Sequence, residues 1–134
     1  MKKIRIAATG VAVAGLATVL APAAAQAETA GAGATAAAWQ GSCAKGDFCV
    51  WSGKNGTGIK CSWYGNDDDW QGGDVRCSPR FLVASMWNNG YTGSYSKVKV
   101  YSFADYESYW GTVSPGTRTN FWEGQLMRSH RWVN

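Results

Sequence analysis

Apolar and aromatic residues alternate with polar ones in short runs along most of the chain. Examples are residues 48–51 (FCVW), 98–101 (VKVY) and 110–113 (WGTV). Such period-two runs of β-branched and aromatic residues are typical of strands with one buried face. Turn signals separate the runs, as at Asn89-Gly90 and Pro115-Gly116, and no segment keeps the apolar spacing of an amphipathic helix over three turns. The pattern therefore predicts an all-β protein.

A weak internal repeat refines this class. Residues 50–52 (VWS) align with residues 100–102 (VYS) at an offset of 50, and residues 82–85 (LVAS) align with residues 126–129 (LMRS) at an offset of 44. Two halves of about 40 residues each predict a duplicated four-strand unit. We expect two Greek keys packed face to face as a sandwich, each sheet burying its apolar side against the other.

The amino-terminal region has a different composition. Three cations in the first five residues precede an apolar run, which ends at an Ala-Gln-Ala sequence. This is the pattern of a secretory signal peptide, and the run of about 15 residues is shorter than the roughly 20 that span a membrane. We predict a cleavable signal peptide at 1–27, a disordered Ala/Gly-rich leader at 28–38 and a folded domain at 39–134. The predicted location is extracellular, with no membrane partner after cleavage.

Net charge narrows the class of partner. The formal charge of +4 includes the three cations of the signal, so the rest of the chain carries ten Lys or Arg against nine Asp or Glu. No basic cluster remains there, and a basic face is what nucleic-acid binding requires. Nucleic acid is therefore not expected as a partner.

The four cysteines all lie in the predicted secreted part: Cys43, Cys49, Cys61 and Cys77. An even count in an oxidising compartment favours two disulfides, and the spacings lack the Cys-x2-Cys pairs of zinc sites. Three connectivities are open. We favour the local one, Cys43 with Cys49 and Cys61 with Cys77, because each pair closes a short loop and leaves no free thiol.

Two stretches resemble a known family. Residues 43–58 (CAKGDFCVWSGKNGTG) and the ending Ser129-His130-Arg131-Trp132 are similar to the secreted microbial peptidase inhibitor family thirty-six, whose members resemble βγ-crystallins in fold. The resemblance implies a βγ-crystallin-like Greek-key sandwich built from two half-motifs. It also implies a secreted protein that inhibits extracellular metallopeptidases by binding their active-site cleft through a rigid loop.

The crystallin half-motif runs aromatic, four residues, aromatic, one residue, Gly, and closes on a Ser that hydrogen-bonds back over the hairpin. The first half supplies these positions as Trp51, Gly56, Gly58 and Ser85. The second half supplies them as Tyr101, Tyr106, Ser108 and Ser129. Gly56 thus stands where an aromatic is usual, and Ser108 where Gly is usual. Because that Gly normally has a positive φ, we expect strain of about 1 kcal/mol at Ser108 unless the turn shifts toward Gly111.

Groups suited to catalysis are scarce. His130 is the only histidine and is expected to be a packed or surface imidazole, and neither G-x-S-x-G nor H-E-x-x-H occurs. The resemblance places crystallin calcium ligands ahead of each closing Ser, but Arg80-Phe81 and Gly124-Gln125 stand there. We therefore expect a binding protein rather than an enzyme, with no cofactor and no metal.

The loop between Cys61 and Cys77 is the predicted inhibitory loop. A cross-linked loop loses little entropy when it docks, and this one carries Asp67, Asp68, Asp69 and Trp70. Trp70 is the predicted aromatic anchor. The resemblance implies instead a cysteine-closed loop in the second half, but residues 100–105 contain no cysteine. Val100 and Tyr101 are therefore kept as an alternative inhibitory loop.

Aromatic content leaves a second function open. The chain has eight Trp and six Tyr, and it is nearly neutral once the three signal cations are removed. These features are also typical of a non-enzymatic carbohydrate or cell-wall binding module of βγ-crystallin type, with a polysaccharide as partner. Most aromatic residues are expected in the core, and four beside turn signals are candidates for exposure: Trp63, Tyr64, Trp70 and Tyr109.

Overall fold

The computed structural model describes residues 37–73, 75–77 and 80–134; the predicted signal peptide and nearly all of the predicted leader lie outside them. These ranges contain seven strands: β1 (Phe48–Trp51), β2 (Lys60–Trp63), β3 (Val83–Asn88), β4 (Lys97–Tyr101), β5 (Tyr109–Val113), β6 (Arg118–Gln125) and β7 (Ser129–Val133). Two short 3-10 turns follow β1 and β4, at Lys54–Gly56 and Ala104–Tyr106. The described ranges hold no α-helix, and therefore no helix with the length and apolarity to cross a bilayer. The all-β prediction is confirmed.

The strands form two antiparallel sheets. The first has the order β2-β1-β3-β6 and the second the order β5-β4-β7. Phe48 and Val50 of the first sheet share one buried cluster with Val98 and Val100 of the second. Each of these side chains is fully buried, and burying a Val or Phe contributes about 1.5–3 kcal/mol. The predicted two-sheet sandwich is confirmed.

The two halves of the repeat exchange chain segments between the sheets. Strand β6 of the second half pairs with β3 of the first. In the matching segment of the first half, between β2 and β3, the described residues make a single β-bridge, from Asp67 to His130 on β7. The prediction of four strands in each half is thus wrong for the first half. There, the Asp67 and Asp69 carboxylates accept hydrogen bonds from nearby backbone N–H groups, which favours turns over a continuous ladder.

The serine at the end of each half closes a folded hairpin. The Ser85 hydroxyl accepts a 3.0 Å hydrogen bond from the Gly56 N–H, and the Ser129 hydroxyl accepts a 3.2 Å hydrogen bond from the Tyr106 N–H. Each hydroxyl also donates to a carbonyl of the same hairpin. Both serines are fully buried. Their predicted closing role is confirmed, and it ties each half's last strand to its first hairpin.

Ser108 takes the conformation that the repeat requires of a glycine. Its φ is 56°, and Gly58 in the first half has a φ of 81°. Gly111 does not take a positive φ. The second hairpin differs from the first by a register shift between Val100 and Tyr101. The turn therefore keeps its place, and the expected strain falls on Ser108.

A segment that precedes β1 packs against the first hairpin. The Gln40 N–H donates to the Asn55 carbonyl at 2.8 Å. Gly41 lies directly on Gly56, since a Cβ at Gly41 would be 2.6 Å from the Gly56 oxygen. The Trp39 ring meets the Trp51 ring edge to face, with centroids 5.4 Å apart. Only glycine, which has no Cβ, fits at positions 41 and 56.

Two disulfides connect Cys43 with Cys49 and Cys61 with Cys77, and no cysteine is free. The favoured connectivity is confirmed. The first bond ties the segment before β1 to β1 itself, and the second runs from β2 to the loop that leads toward β3. Both cross-links therefore belong to the first half of the repeat.

Candidate functional site

The 67–70 segment lies along the edge of β7 that β4 leaves free. Asp67 and His130 exchange two backbone hydrogen bonds of 3.0 and 2.8 Å, and the Trp70 N–H donates to the Arg128 carbonyl at 2.8 Å. A fourth bond joins the Asp105 N–H to the Asp68 carbonyl at 2.7 Å. Peptide groups of Asp67, Asp68 and Trp70 are thus fixed by a strand or turn distant in sequence, so the segment has a defined shape.

The three carboxylates of this segment have different surroundings. Arg128 holds Asp69 with two hydrogen bonds of 2.8 and 3.0 Å, and this contact lowers the pKa of Asp69. Burial raises the pKa of Asp67, whose carboxylate accepts from the Asp69 N–H. Asp68 is exposed, and its carboxylate has no hydrogen bond or ion pair among the described residues. Of the three, Asp68 is the carboxylate free to meet a partner.

Trp63 and Trp70 are buried, so the prediction that they are exposed is wrong. Their exposed fractions are 4% and 3%, and their rings stack with centroids 4.5 Å apart. Trp70 Nε1 donates to His130 Nδ1 at 2.8 Å. Because the segment pairs with β7, the Trp70 side chain turns into the core beside Phe48. In this conformation Trp70 cannot serve as a surface anchor.

His130 is the polar centre of this buried aromatic cluster. The ring is fully buried, with Phe48 at 5.1 Å and Trp63 at 4.9 Å between centroids. Since Trp70 donates to Nδ1, the neutral ring carries its proton on Nε2, which lies 2.8 Å from the Gly65 carbonyl oxygen. Burial lowers the pKa of His130 to about 4. The prediction of a packed imidazole is confirmed, and a buried ring with both nitrogens bonded is unsuited to general-base catalysis.

An open pocket of about 560 Å³ lies beside the 67–70 segment. We call it the acidic pocket; its wall includes Trp63, Tyr64, Asp67, Asp68 and Tyr106. Among the described residues the Trp63 indole N–H has no hydrogen-bond partner. It faces the Asp67 carboxylate and partly offsets the rise that burial causes in the pKa of Asp67. Burial, and next the charge of Asp68, raise the pKa of Tyr106. The pocket thus combines carboxylates with aromatic walls. No group of His, Cys, Asp or Glu in the described ranges is arranged to hold a metal ion.

The alternative inhibitory residues lie in the core instead. Val100 and Tyr101 belong to β4 and are buried, and Tyr101 contacts Tyr106 and Tyr109 edge to face. Neither side chain is available to a partner in this conformation. Residues 100–105 form the end of β4 and the start of the 3-10 turn that follows it.

Surface aromatics were predicted only in part. Tyr64 and Tyr109 are exposed as expected, at 73% and 59%. The sequence interpretation missed Tyr91, Tyr95 and Trp122, which are also exposed. A signal for the first two was present, since both tyrosines lie in the Gly- and Ser-rich stretch that follows Asn89.

A comparison with protein families identifies the family of this chain. The sequence model of peptidase inhibitor family I36 matches residues 35–113, more than half of the chain. The chain belongs to peptidase inhibitor family I36. Membership supports a role for this I36 protein as a peptidase inhibitor and implies a peptidase as its partner. The comparison with curated proteins finds no match for it.

Proposed function

We propose that the protein is a secreted inhibitor of extracellular metallopeptidases, and that it binds the active-site cleft through the 67–70 segment. The observation that carries the proposal is the exposed, unpaired Asp68 carboxylate on a segment fixed by main-chain hydrogen bonds to β7 and to Asp105. Membership of family I36 supplies the inhibitory role. Beyond that role, we propose three things: the metallopeptidase as target, the secretion and the contact surface.

Rigidity favours this segment as the contact surface. A loop held in one conformation loses little entropy when a partner orders it, so more of the contact energy appears as affinity. The pairing with β7, the Arg128 contact to Asp69 and the Cys61–Cys77 bond all restrict the segment before any partner arrives.

The chemistry of the segment suits a zinc peptidase. A catalytic zinc keeps one coordination position open for water or substrate, and carboxylate oxygen is a ligand that zinc accepts. Asp68 can present such an oxygen without breaking an ion pair. Asp69 cannot, because Arg128 already holds both of its oxygens.

Tyr64 replaces Trp70 as the aromatic anchor of the proposed surface. It is 73% exposed, and its ring lies in the wall of the acidic pocket together with Asp68. Exposed aromatic side chains beside a fixed polar group commonly dominate the binding energy of an interface.

The test is inhibition of a thermolysin-like zinc peptidase, with a serine peptidase as the class control. Wild-type protein should inhibit the zinc enzyme alone. Tyr64→Ala should weaken inhibition roughly 30-fold, which corresponds to about 2 kcal/mol, and Asp68→Asn about 10-fold.

Matched controls are Tyr109→Ala, an exposed tyrosine elsewhere, and Glu123→Gln, an exposed carboxylate on β6. Neither should change inhibition. Inhibition of the serine enzyme alone would refute the metallopeptidase target. Unchanged inhibition by both the Tyr64 and the Asp68 variants would refute the contact surface.

A further inference from the structure

A second open pocket lies on the other side of Tyr64. It has a volume of about 240 Å³ and is lined by six residues: Gly46, Tyr64, Tyr91, Ser94, Tyr95 and Trp132. We call it the tyrosine pocket. Four of the six are aromatic and none is charged. This composition differs from that of the acidic pocket, which holds two carboxylates.

The rings of the tyrosine pocket do not pair with other aromatic rings, although Trp132 packs partly against the core. Elsewhere on the surface, Lys54 covers the Trp122 ring at 4.9 Å, and Tyr109 packs against Tyr101. None of the four rings of the tyrosine pocket contacts another aromatic ring among the described residues. Lys45 approaches Tyr91, but its ammonium is bound to the Gly90 carbonyl at 2.9 Å.

Glycine backbones support these rings from behind. A Cβ at Gly46 would lie 2.8 Å from the Tyr64 ring and 3.0 Å from the Tyr91 ring, so both rings rest on that residue. A Cβ at Gly90 would lie 2.4 Å from the Trp132 ring. The absence of side chains at the two glycines lets the Tyr64, Tyr91 and Trp132 rings pack closely against the backbone.

Tyr95 is held in a conformation that is rare for an aromatic residue. Its φ is 54°, and its N–H donates to the Asn134 side-chain oxygen at 2.7 Å. Strained residues persist where neighbouring contacts over-determine them, and they cluster at ligand sites. Here the strained residue contributes one wall of the pocket.

We propose that the tyrosine pocket binds a neutral glycan, one pyranose ring at a time. The C–H face of a pyranose is apolar and stacks on an aromatic face, while its hydroxyls need hydrogen-bond partners at the rim. The hydroxyls of Tyr64, Tyr91 and Tyr95 have no hydrogen bond within the described ranges, so they can supply those partners. The pocket is smaller than the roughly 300–1,000 Å³ of sites for drug-sized ligands, which suits a single sugar unit of a chain.

Charge separates this ligand from other classes. Recognition of an acidic peptide, a phosphate or a nucleic acid requires lysine or arginine in the site, and a cationic ligand requires a carboxylate. The lining of the tyrosine pocket offers neither. The glycan site shares Tyr64 with the proposed peptidase contact, but its other lining residues lie outside the acidic pocket, and it would add a second binding activity to the inhibitor.

The test uses chitin and cellulose as insoluble probes, followed by titration of soluble chito- and cello-oligosaccharides monitored by NMR. We expect retention on at least one probe and chemical-shift changes confined to residues around the tyrosine pocket. Tyr91→Ala and Tyr95→Ala should each weaken binding about 3- to 10-fold, whereas Tyr91→Phe, which keeps the ring, should lose less. Trp122→Ala is the control, because Trp122 is 90% exposed yet outside the pocket.

The Tyr91→Ala and Tyr95→Ala variants are assayed in parallel for peptidase inhibition and for thermal melting. Loss of glycan binding with inhibition and melting unchanged supports the proposal, even if the proposed metallopeptidase contact fails its own test. Absence of wild-type retention on both probes overturns it, as does equal binding by wild type and a Tyr91→Ala/Tyr95→Ala double variant. Weakened inhibition together with unchanged glycan binding also overturns it and assigns the pocket to the peptidase interface.

Discussion

The two halves of the molecule build the same hairpin from different residues. Three positions in each hairpin have a positive φ, and they correspond at the offset of 50. The first half has Asn55, Gly56 and Gly58 at these positions. The second has Asp105, Tyr106 and Ser108. The backbone path is therefore retained even where the residue types are poorly suited to it, because a buried serine and the sheet fix the turn from outside.

The missing aromatic of the first half is supplied by another part of the chain. Trp39 meets Trp51 edge to face at 5.4 Å, and in the second half Tyr106 meets Tyr101 in the same manner at 5.6 Å. Gly56 leaves the space that the Trp39 segment fills. The first half thus depends on a preceding segment for its ring pair, while the second half supplies both rings of its own pair.

The greatest expected effect comes from the cross-links, which only the first half has. Cys61→Ala/Cys77→Ala should lower the free energy of unfolding by about 3 kcal/mol, because the bond closes a loop with a sequence separation of 16. That corresponds to a Tm decrease of roughly 10 to 20 °C, measurable by calorimetry.

The Cys43→Ala/Cys49→Ala pair is the internal control. Its loop spans a separation of only 6, so about 2 kcal/mol should be lost. A greater loss from this pair than from Cys61→Ala/Cys77→Ala would contradict the loop-length argument and assign the difference to packing.

Acid sensitivity should also distinguish the halves, through His130. At the offset of 44 its counterpart is Met86, which cannot titrate. Burial lowers the pKa of His130 to about 4, so the unfolded chain takes up the proton first. Stability is therefore complete above the unfolded pKa of about 6.5 and falls as the pH decreases toward 4.

The measurement is urea unfolding across this window. Between about pH 8 and pH 5 the free energy of unfolding should fall by about 2 kcal/mol. The raised pKa of Asp67 has the opposite effect on the free energy of unfolding, because the folded protein takes up that proton more readily than the unfolded chain. This effect falls at pH values closer to the normal range of carboxyl groups. His130→Gln should flatten the profile above pH 5; a profile as steep as that of wild type would exclude His130 as its cause.

The smallest effect concerns the strained serine. Ser108→Gly should raise the free energy of unfolding by about 0.5 to 1 kcal/mol, because glycine adopts the positive φ without strain. The matched change, Gly58→Ser, should destabilise, since a Cβ there would lie 2.4 Å from the Ser52 hydroxyl oxygen. Thermal melts of both variants check the pair. Destabilisation by Ser108→Gly would show that unfolded-state entropy outweighs the strain.

Local sequence patterns predict some of these features and not others. The strand runs followed from alternation and the disulfide connectivity from spacing, because both depend on short-range constraints. The closing role of Ser85 and Ser129 followed from the resemblance to the crystallin half-motif, since their hydrogen bonds join residues more than 20 positions apart. The burial of Trp70 did not follow. It depends on a hydrogen bond to His130, 60 residues away, and nothing near Trp70 in the sequence indicates that β7 will lie beside it.

The two pockets illustrate the same limit. Asp68 was found because a carboxylate triplet is conspicuous in sequence. The tyrosine pocket was not, because it assembles Gly46, Tyr64 and Trp132 from three distant segments around a loop that carries Tyr91 and Tyr95. Such a site is recognisable only once the sheets bring those segments together.

The contact between Gly41 and Gly56 sets a limit on proteolytic trimming of the amino end. An exopeptidase that stops before Trp39 leaves the Trp39 ring in contact with the first hairpin. It also leaves the N–H groups of residues 40 and 41, which donate to the Asn55 carbonyl. Removal of only a few more residues would expose Trp51 and leave that carbonyl to water. Trimming that passes Trp39 is therefore expected to destabilise the first hairpin and to shorten the lifetime of the folded protein.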